Sequence, residues 1–415
     1  MVVSVVSKGK ETPAMLESEL REIIRKQHEE MSRKKTLPRD ALASLRTIAE
    51  FATIATGIRR CGKSTLLHQW ADSRPERTLS LLFDDLRMAP FSAGDFATLD
   101  RIVESEKPAN LVFDEIQLVA GWERYVKQKL DQGFRVLVTG SNATMLSAEL
   151  GTHLTGRHLD LELQPFSYGE FLRFTGAEAS PESVLAYLER GGFPAYLEAG
   201  EPEILRQLVR DIVNRDVAVR HGIRDVRPLE TLVAFLLANA GNRVTPSRLT
   251  GALGVNAPAT VLAWFDHFEK AYLVERLERF SDSAKARSLA PKKVYAADTA
   301  LARIASPSRT PDLGRALENA VWARIRRRST RRFYWADDAS ECDFVFADAS
   351  GAFDAVQVCL ELAPENRGRE LAGLLGALRQ FGLREGTIVT LRQSDFARED
   401  GRSIRVVPAH EWLAE

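Results

Sequence analysis

Apolar runs of strand length alternate with helical patterns between about residue 45 and residue 165. The runs read FATIAT, SLLFDD, NLVFDE and FRVLVTG, and such short uninterrupted runs are typical of buried strands. Strands that alternate with helices predict a parallel sheet covered by helices. Ahead of them, residues 13–36 carry apolar side chains at helical spacing among many charges, which predicts an amphipathic lead-in helix.

The strand pattern stops after residue 165, and helical patterns follow. FSYGEFLRF, ESVLAYLER and PEILRQLVRDIVNRDVAVR predict a helical lid over residues 166–227, with a turn at GGFP. Residues 228–305 give three helical segments and then two strand-like runs, an order that predicts a winged helix. Residues 306–415 predict a separate small α/β unit. The lead-in segment is then 1–36 and the α/β core is 37–165.

Composition restricts the class of protein. Hydrophobic residues make up 45% of the 415 residues, and Lys plus Arg balance Asp plus Glu at 57 each. This is typical of a globular protein with no bulk attraction for nucleic acid or an anionic membrane. The three cysteines show no CxxC pairing, which predicts neither a disulfide framework nor a zinc site. The pattern contains no secretory signal or spanning segment, so we expect a cytoplasmic protein without a membrane partner.

Residues 57–65, GIRRCGKST, match the P-loop pattern GxxxxGK[ST] between a strand and a helix. The glycines let backbone N–H groups turn toward phosphate oxygens, and the helix N-terminus adds partial positive charge. The lysine reaches the β and γ phosphates, and the serine hydroxyl can ligate Mg²⁺. The sequence therefore predicts an ATP site formed by Gly57, Arg59, Arg60, Cys61, Gly62, Lys63, Ser64 and Thr65.

The segment LVFDEIQ is an apolar strand that ends in two acids, about fifty residues after the P-loop lysine. Asp114 at the end of the strand is placed to hold Mg²⁺, with Ser64 as the second metal residue. Glu115 is placed to polarise the attacking water. The alternative is a buried strand that ends in a solvated acidic turn. The two motifs together predict an ATP hydrolase with ATP and Mg²⁺ as cofactors.

Three further positions leave alternatives open. Asn142 follows the fourth strand, where it could orient the lytic water or simply cap the next helix. Arg157 in LTGR could stabilise γ-phosphate charge in a neighbouring subunit or pair with a surface acid. Asp84 and Asp85 end a strand, either as catalytic neighbours or as a helix cap. Cys61 inside the P-loop is either a redox-sensitive thiol or a small filler residue.

The motifs GxRRxGKST, FDD, LVFDEIQ, TGSN, LTGR, PFSYGEFL and GGFP occur in this order along the chain. In this set the chain resembles the prokaryotic AAA-type ATPases of the AAA_14 class that carry a DUF4143 C-terminal region. The resemblance implies Walker roles for Lys63, Ser64, Asp114 and Glu115, a sensor role for Asn142 and a finger role for Arg157. It also implies an oligomer, with a hexamer as one candidate, a winged helix and a C-terminal fold similar to PD-(D/E)xK nucleases.

A working nuclease site of that type needs a helix acid, a strand aspartate and an E-x-K on the next strand. Glu318 and Asp343 supply the first two, but the third motif reads Gln357-Val358-Cys359. A thiol cannot replace the cationic lysine, so nuclease activity is not expected. Glu361 is a conceivable displaced ligand because it lies on the same strand face.

Basic residues cluster at Arg324–Arg332 and are followed by Phe333, Tyr334 and Trp335. This combination suits phosphate contact and base stacking, although a solvated helix end is the alternative. The proposed wing adds Lys285, Arg287, Lys292 and Lys293, whereas the recognition helix is poor in bases. We therefore expect DNA, branched or single-stranded and read by shape, to be remodelled with ATP energy. A nucleotide switch that acts through protein partners and an ATP-gated nuclease are the alternatives.

Overall fold

The computed structural model describes residues 14–74, 77–140, 156–306 and 312–414. These residues form two compact units. The first takes the described residues up to Thr56 together with Lys63–Glu162. The second takes the loop Gly57–Gly62 together with the described residues from Leu163 onward.

The described part of the first unit contains a parallel sheet with the strand order β2-β3-β4-β1-β5. All four predicted strands are present. The fifth strand was not predicted because it lies at the sheet edge, where its HLDLE side chains are only partly buried. The strands are β1 (Ala52–Thr56), β2 (Thr78–Leu82), β3 (Asn110–Asp114), β4 (Arg135–Thr139) and β5 (His158–Glu162).

The helices of the first unit pack on this sheet, and the lead-in helix is one of them. Its apolar side chains Leu20 and Ile23 are buried in the core of the unit. Gln27 on the same helix pairs with β2, because its amide nitrogen donates to the Leu82 carbonyl at 2.9 Å and its oxygen accepts from the Leu82 N–H at 2.9 Å. The described helices are α1 (Glu17–Ser32), α2 (Ala41–Ser44), α3 (Lys63–Asp72), α4 (Phe96–Glu106) and α5 (Trp122–Asp131), with 3₁₀ turns at Leu86–Met88, Ala93–Asp95 and Ile116–Leu118.

The second unit begins with the helices that the sequence predicts after residue 165. The long predicted helix over PEILRQLVRDIVNRDVAVR changes type midway, from an α-helix to a π-helix. Such wide turns are uncommon and are frequently found at functional sites. The elements are α6 (Tyr168–Thr175), α7 (Pro181–Arg190), α8 (Pro194–Ala199), α9 (Glu203–Asp211) and the π-helix Ile212–Val219.

A three-stranded sheet follows, with the order β6-β8-β7 and antiparallel pairing. The two predicted strand-like runs are β7 and β8 of this sheet. In chain order the elements are α10 (Arg227–Ala238), β6 (Arg243–Val244), a 3₁₀ turn at Pro246–Arg248, α11 (Thr250–Leu253), α12 (Pro258–Lys270), β7 (Val274–Leu277), α13 (Ala284–Leu289), β8 (Lys292–Ala296) and α14 (Thr299–Ala305).

The C-terminal region contains a mixed sheet of order β13-β14-β12-β11-β10-β9. Its core includes Leu374, Leu378, Ile388 and Ile404, which are fully buried. None of the described helices combines the length and the apolar character that crossing a bilayer demands. The elements are α15 (Leu313–Arg328), β9 (Arg332–Ala336), β10 (Glu341–Ala347), β11 (Phe353–Val358), α16 (Pro364–Gln380), β12 (Glu385–Thr390), β13 (Asp395–Glu399), β14 (Arg402–Pro408) and α17 (Ala409–Ala414).

The predicted GGFP turn is held by a buried carboxylate within the second unit. Asp298 accepts from the Gly192 N–H at 2.6 Å and from the Ala300 N–H at 2.9 Å. Burial raises the pKa of Asp298 to about 6, although its backbone partners oppose the shift. Gly191 has φ +62°, and a Cβ at this residue would lie 2.0 Å from the Asp298 Oδ1 atom. Both the backbone angle and the space therefore require glycine.

We expect Gly191→Ala to lower the free energy of unfolding by about 3 kcal/mol or more, because the new methyl group would displace the Asp298 carboxylate. Gly200→Ala is the matched control. Gly200 also has a positive φ, +73°, but a Cβ there meets nothing within 4 Å, so only about 1–2 kcal/mol of backbone strain applies. Urea denaturation of the two variants measures the difference, and equal losses would contradict this account.

Candidate functional site

A buried carboxylate lies at the end of β3 and organises the site of the first unit. Asp114 is 7% exposed. The hydroxyl of Thr139, at the end of the neighbouring strand β4, donates to the Asp114 Oδ1 atom. The same hydroxyl accepts from the Glu115 N–H at 3.0 Å. Thr139 thus fixes both acids at once, and the Ser64 hydroxyl at the start of α3 also bonds the Asp114 carboxylate.

Burial raises the pKa of Asp114. The hydrogen bonds from Ser64 and Thr139 and the positive charge of Lys63 act in the opposite direction. Lys63 is itself buried, at 6% exposed. A desolvated carboxylate of this kind is stabilised by a cation, which restores part of the lost solvation.

These residues fit Mg²⁺. A carboxylate and a hydroxyl are hard oxygen donors, and Mg²⁺ is usually held by one or two protein oxygens, with water and phosphate oxygens as the remaining ligands. Among the described residues no group of three or more His, Cys, Asp or Glu side chains could hold a metal. The remaining ligands of Mg²⁺ at this site would be water and phosphate oxygens. A cavity of about 400 Å³ in the same unit reaches Ser64 and Asp114.

Glu115 follows the strand in a strained backbone conformation. Its φ is +55°, in the left-handed region that non-glycine residues rarely adopt. Its carboxylate accepts a hydrogen bond from the Gln117 side-chain amide. Strain of this kind persists where the surroundings hold it, and it concentrates at functional sites. Gln117 and Thr139 are site residues that the sequence analysis missed, although both lie in motifs that it quoted.

The loop Gly57–Gly62 joins β1 to α3 and is part of the second unit. Gly57 has φ +135°, and a Cβ there would lie 2.0 Å from the Leu163 carbonyl oxygen, so glycine is required. Cys61 is fully buried, and its thiol donates to the same carbonyl at 3.3 Å. This burial favours the filler interpretation of Cys61. The arginines of the loop pair with acids: Arg59 with Asp216, and Arg60 with Asp211.

The other predicted residues have different outcomes. Asn142 lies outside the described residues. Arg157 is at the start of β5, where it pairs with Asp131 at 2.6 Å and donates to the Glu50 carbonyl at 2.9 Å. Its finger role therefore stays a prediction, and the structure gives it local partners in its own unit. Asp85 caps the 3₁₀ turn Leu86–Met88, because its carboxylate accepts a hydrogen bond from the Arg87 N–H. Of the two alternatives for Asp85, this contact favours the helix cap.

A second polar cluster lies in the C-terminal region, around the side chain of Lys293. Its ammonium group is 2.8 Å from carboxylate oxygens of Glu318, Glu341 and Asp343. Lys293 is 2% exposed, and these carboxylates raise its pKa well above the usual value despite burial. Burial and the neighbouring acids raise the pKa of Asp343 to about 7. The cluster borders a cavity of about 450 Å³.

This cluster unites Glu318 and Asp343, as the nuclease-like pattern requires, and adds a lysine from β8 that the pattern did not indicate. Gln357 donates to the Glu370 carboxylate at 2.7 Å and does not contact Lys293. Cys359 is buried, and Glu361 is exposed. Because β11 ends at Val358, Glu361 lies beyond the strand, and its role as a displaced ligand stays a prediction. The cluster is an ion-pair network in which the Lys293 ammonium bonds all three carboxylates.

The basic run expected to contact DNA is partly buried and partly exposed. Arg324 is 7% exposed, with its guanidinium 4.1 Å from the centre of the Trp412 ring. Arg326 pairs with Glu275 at 2.7 Å. Arg327, Arg328 and Arg331 are exposed, although Arg327 also donates to the Pro165 carbonyl at 2.7 Å. In the proposed wing, Lys293 is buried and Lys292 bonds Glu278 at 2.9 Å. The buried Arg324 and Lys293 do not face DNA, and contact through the exposed arginines stays a prediction.

We expect Thr139→Val to reduce the rate of ATP hydrolysis by about tenfold or more, because the bonds that orient Asp114 and Glu115 are lost. Thr139→Ser keeps the hydroxyl and is the matched control, expected within about threefold of the wild-type rate. Steady-state phosphate release measures both. Equal activity of the valine and serine variants would show that this hydroxyl is not needed.

We expect Lys293→Met to lower the free energy of unfolding by about 3–5 kcal/mol at neutral pH, because it leaves Glu318 and Asp343 without this cation and Glu341 with Arg243 alone. The loss should shrink as pH is lowered, since protonation makes those acids neutral. Lys292→Met removes a surface pair and should cost less than about 1 kcal/mol. Chemical denaturation at two pH values tests this, and a loss that does not depend on pH would exclude the electrostatic cause.

Comparison with known proteins agrees with the geometry of the first site. Residues 50–172 match the family model AAA_14, an AAA domain. Residues 181–312 match a different model, DUF8612, a domain of unknown function. The expected DUF4143 assignment is therefore wrong.

Two relatives cover most of the chain. An uncharacterized protein of Haemophilus influenzae is 30% identical over 387 residues, which are 88% of this chain and 95% of the relative. An uncharacterized protein of Methanocaldococcus jannaschii is 29% identical over 387 residues, or 86% of each chain. With a relative of this similarity along nearly its whole length and an AAA_14 match over the P-loop region, the chain belongs to a family of AAA-domain proteins.

Proposed function

We propose that this protein is an AAA-type ATPase that binds ATP with Mg²⁺ and hydrolyses it. The observation that carries the proposal is the buried Asp114 carboxylate, bonded by Ser64 and Thr139 and followed directly by Glu115. In a P-loop enzyme, catalysis is mostly positioning and charge stabilisation. The described contacts supply the positioning, since the Thr139 hydroxyl bonds both the Asp114 carboxylate and the Glu115 N–H.

Each residue has a distinct task in this proposal. Lys63 supplies positive charge to the phosphates, and Ser64 and Asp114 hold Mg²⁺, which would neutralise developing negative charge when bound. Glu115 accepts a proton from the attacking water. Gln117 bonds the Glu115 carboxylate, so this bond has to loosen or be shared when water is activated.

DNA is the substrate that we propose to test first. The order of helices and strands from α10 to β8 is that expected of a winged helix. Cations in this region lie at the surface, namely Arg248, Lys270 and Lys285, and the α15 arginines Arg327 and Arg328 are exposed as well. A few dispersed cations favour contacts to the phosphate backbone over reading of base edges. Recognition by shape therefore remains the proposal.

A nucleotide switch that acts through a protein partner is the second candidate. One observation favours it: the first half of α12 exposes apolar side chains, with Leu262 45% exposed and Ala259 and Ala263 beside it. A helix that reads DNA bases presents Arg, Asn or Gln instead. We do not propose the ATP-gated nuclease, because Lys293 already bonds the carboxylates that a metal would need.

ATPase assays of the purified chain against duplex, single-stranded, forked and four-way DNA separate the two candidates. A DNA-dependent ATPase should be stimulated about tenfold or more by at least one DNA, with a steep loss of stimulation as salt rises. Its specific activity should also increase with protein concentration if subunits complete the site. Lys63→Ala provides the blank. The same slow hydrolysis with every DNA at low salt would contradict DNA dependence and support the switch.

A further inference from the structure

The phosphate-binding loop is tied to a distant segment of the chain within the second unit. Arg59, between the two glycines of the loop, bonds Asp216 on the π-helix Ile212–Val219. The two residues are 157 positions apart in the sequence. The P-loop pattern leaves this position open, so the pattern gives no reason for an arginine there.

The bond is bidentate, and its carboxylate is buried while the Arg59 side chain is 33% exposed. The Arg59 Nε atom donates to the Asp216 Oδ2 atom at 2.5 Å, and the Nη2 atom donates to the Oδ1 atom at 2.9 Å. Asp216 is 2% exposed. Two parallel charge-assisted bonds hold a guanidinium in one orientation, which a single bond does not. Asp216 therefore fixes the side chain of Arg59 and, through it, the middle of the loop.

The loop needs such support because its backbone is strained. Arg60 has φ +62°, in the left-handed region, although it is not a glycine. Gly57 lies so close to the Leu163 carbonyl that no Cβ fits. Conformations of this kind cost about 1–3 kcal/mol each and persist only where surrounding contacts impose them. The Arg59–Asp216 bond is a half-buried ionic contact next to the strained residue.

We propose that Asp216 is a positioning residue of the ATP site, which holds the P-loop backbone in its phosphate-binding shape through Arg59. The inference rests on the proposed ATP hydrolysis. Backbone N–H groups of the loop contact phosphate oxygens in the bound nucleotide and in the transition state alike. Loss of the support should therefore weaken nucleotide binding more than it slows turnover.

The structure offers a matched control five residues earlier in sequence. Asp211 pairs with Arg60 at 3.7 Å, and the side chains are 22% and 48% exposed. This contact also joins an acid to a loop arginine, but it is long and solvated, and such pairs contribute little. Asp216→Asn and Asp211→Asn thus remove the same charge from neighbouring positions and differ in the geometry of the bond.

We expect Asp216→Asn to raise KM for ATP by about tenfold or more, with kcat changed less than about threefold. Asp211→Asn should leave both values within about twofold of the wild type. Arg59→Lys, which removes the bidentate geometry but keeps the charge, should repeat the KM effect. Near-ultraviolet circular dichroism confirms that each variant is folded. If Asp216→Asn does not fold, Arg59→Lys decides the question.

The result that overturns the proposal is a folded Asp216→Asn or Arg59→Lys variant whose KM equals that of Asp211→Asn. The failure of the ATPase proposal looks different, because the wild type would then show no hydrolysis above Lys63→Ala. In that case binding of a fluorescent ATP analogue, which needs no turnover, tests Asp216 separately. A tenfold weaker affinity of Asp216→Asn for the analogue would support the positioning role, and equal affinity or no binding by the wild type would refute it.

Discussion

The hydrogen bond between the Thr139 hydroxyl and the buried Asp114 carboxylate joins the fold of the first unit to its chemistry. It forms because β3 and β4 are adjacent parallel strands, so that their carboxyl ends meet at one edge of the sheet. The strands bury apolar residues around it, which removes water from the carboxylate and raises its pKa. The Thr139 and Ser64 hydroxyls and the Lys63 ammonium then stabilise that charge, and Mg²⁺ would do so when bound. The position of Glu115 depends on the same hydroxyl.

Periodicity and motif spacing predicted most of the architecture. The runs FATIAT, SLLFDD, NLVFDE and FRVLVTG are strands because uninterrupted apolar residues at that length can only be covered on both faces. β5 escaped prediction because an edge strand buries less. The sequence also could not indicate that the helix predicted near residue 212 widens into a π-helix, since that change depends on tertiary packing rather than on local pattern.

The residues of the candidate site also divide into those that the sequence could predict and those that it could not. Lys63, Ser64, Asp114 and Glu115 could be predicted because their spacing is set by local strand and helix geometry. Thr139, Gln117 and Lys293 could not be assigned, because their roles come from neighbours that the fold brings together. The basic run of α15 was predicted only in part. A cluster of arginines in sequence predicts a charged surface, and Arg327 and Arg328 are exposed. Tertiary packing, which the sequence does not indicate, places Arg324 on the Trp412 ring and pairs Arg326 with Glu275.

Internal charge pairing is therefore a general feature of the second unit. Lys293, Arg326 and Arg59 are each bound to buried or half-buried acids. This is consistent with a chain in which 57 basic residues balance 57 acidic ones. Such pairs contribute specificity of geometry more than net stability. His221 follows the π-helix that carries Asp216, and its ring stacks on the ring of His267 in α12, with 3.6 Å between the ring centroids. The π-helix segment therefore neighbours both the phosphate-binding loop and α12.

The claim that the acidic end of β3 is a hydrolytic ATP site is tested most directly by comparing ATP affinity and single-turnover hydrolysis in wild-type protein and in Glu115→Gln. The account predicts that the variant binds ATP with a Kd within about threefold of the wild type and hydrolyses it at least about 100-fold more slowly, since only the proton acceptor is lost. Hydrolysis by Glu115→Gln at the wild-type rate would contradict it.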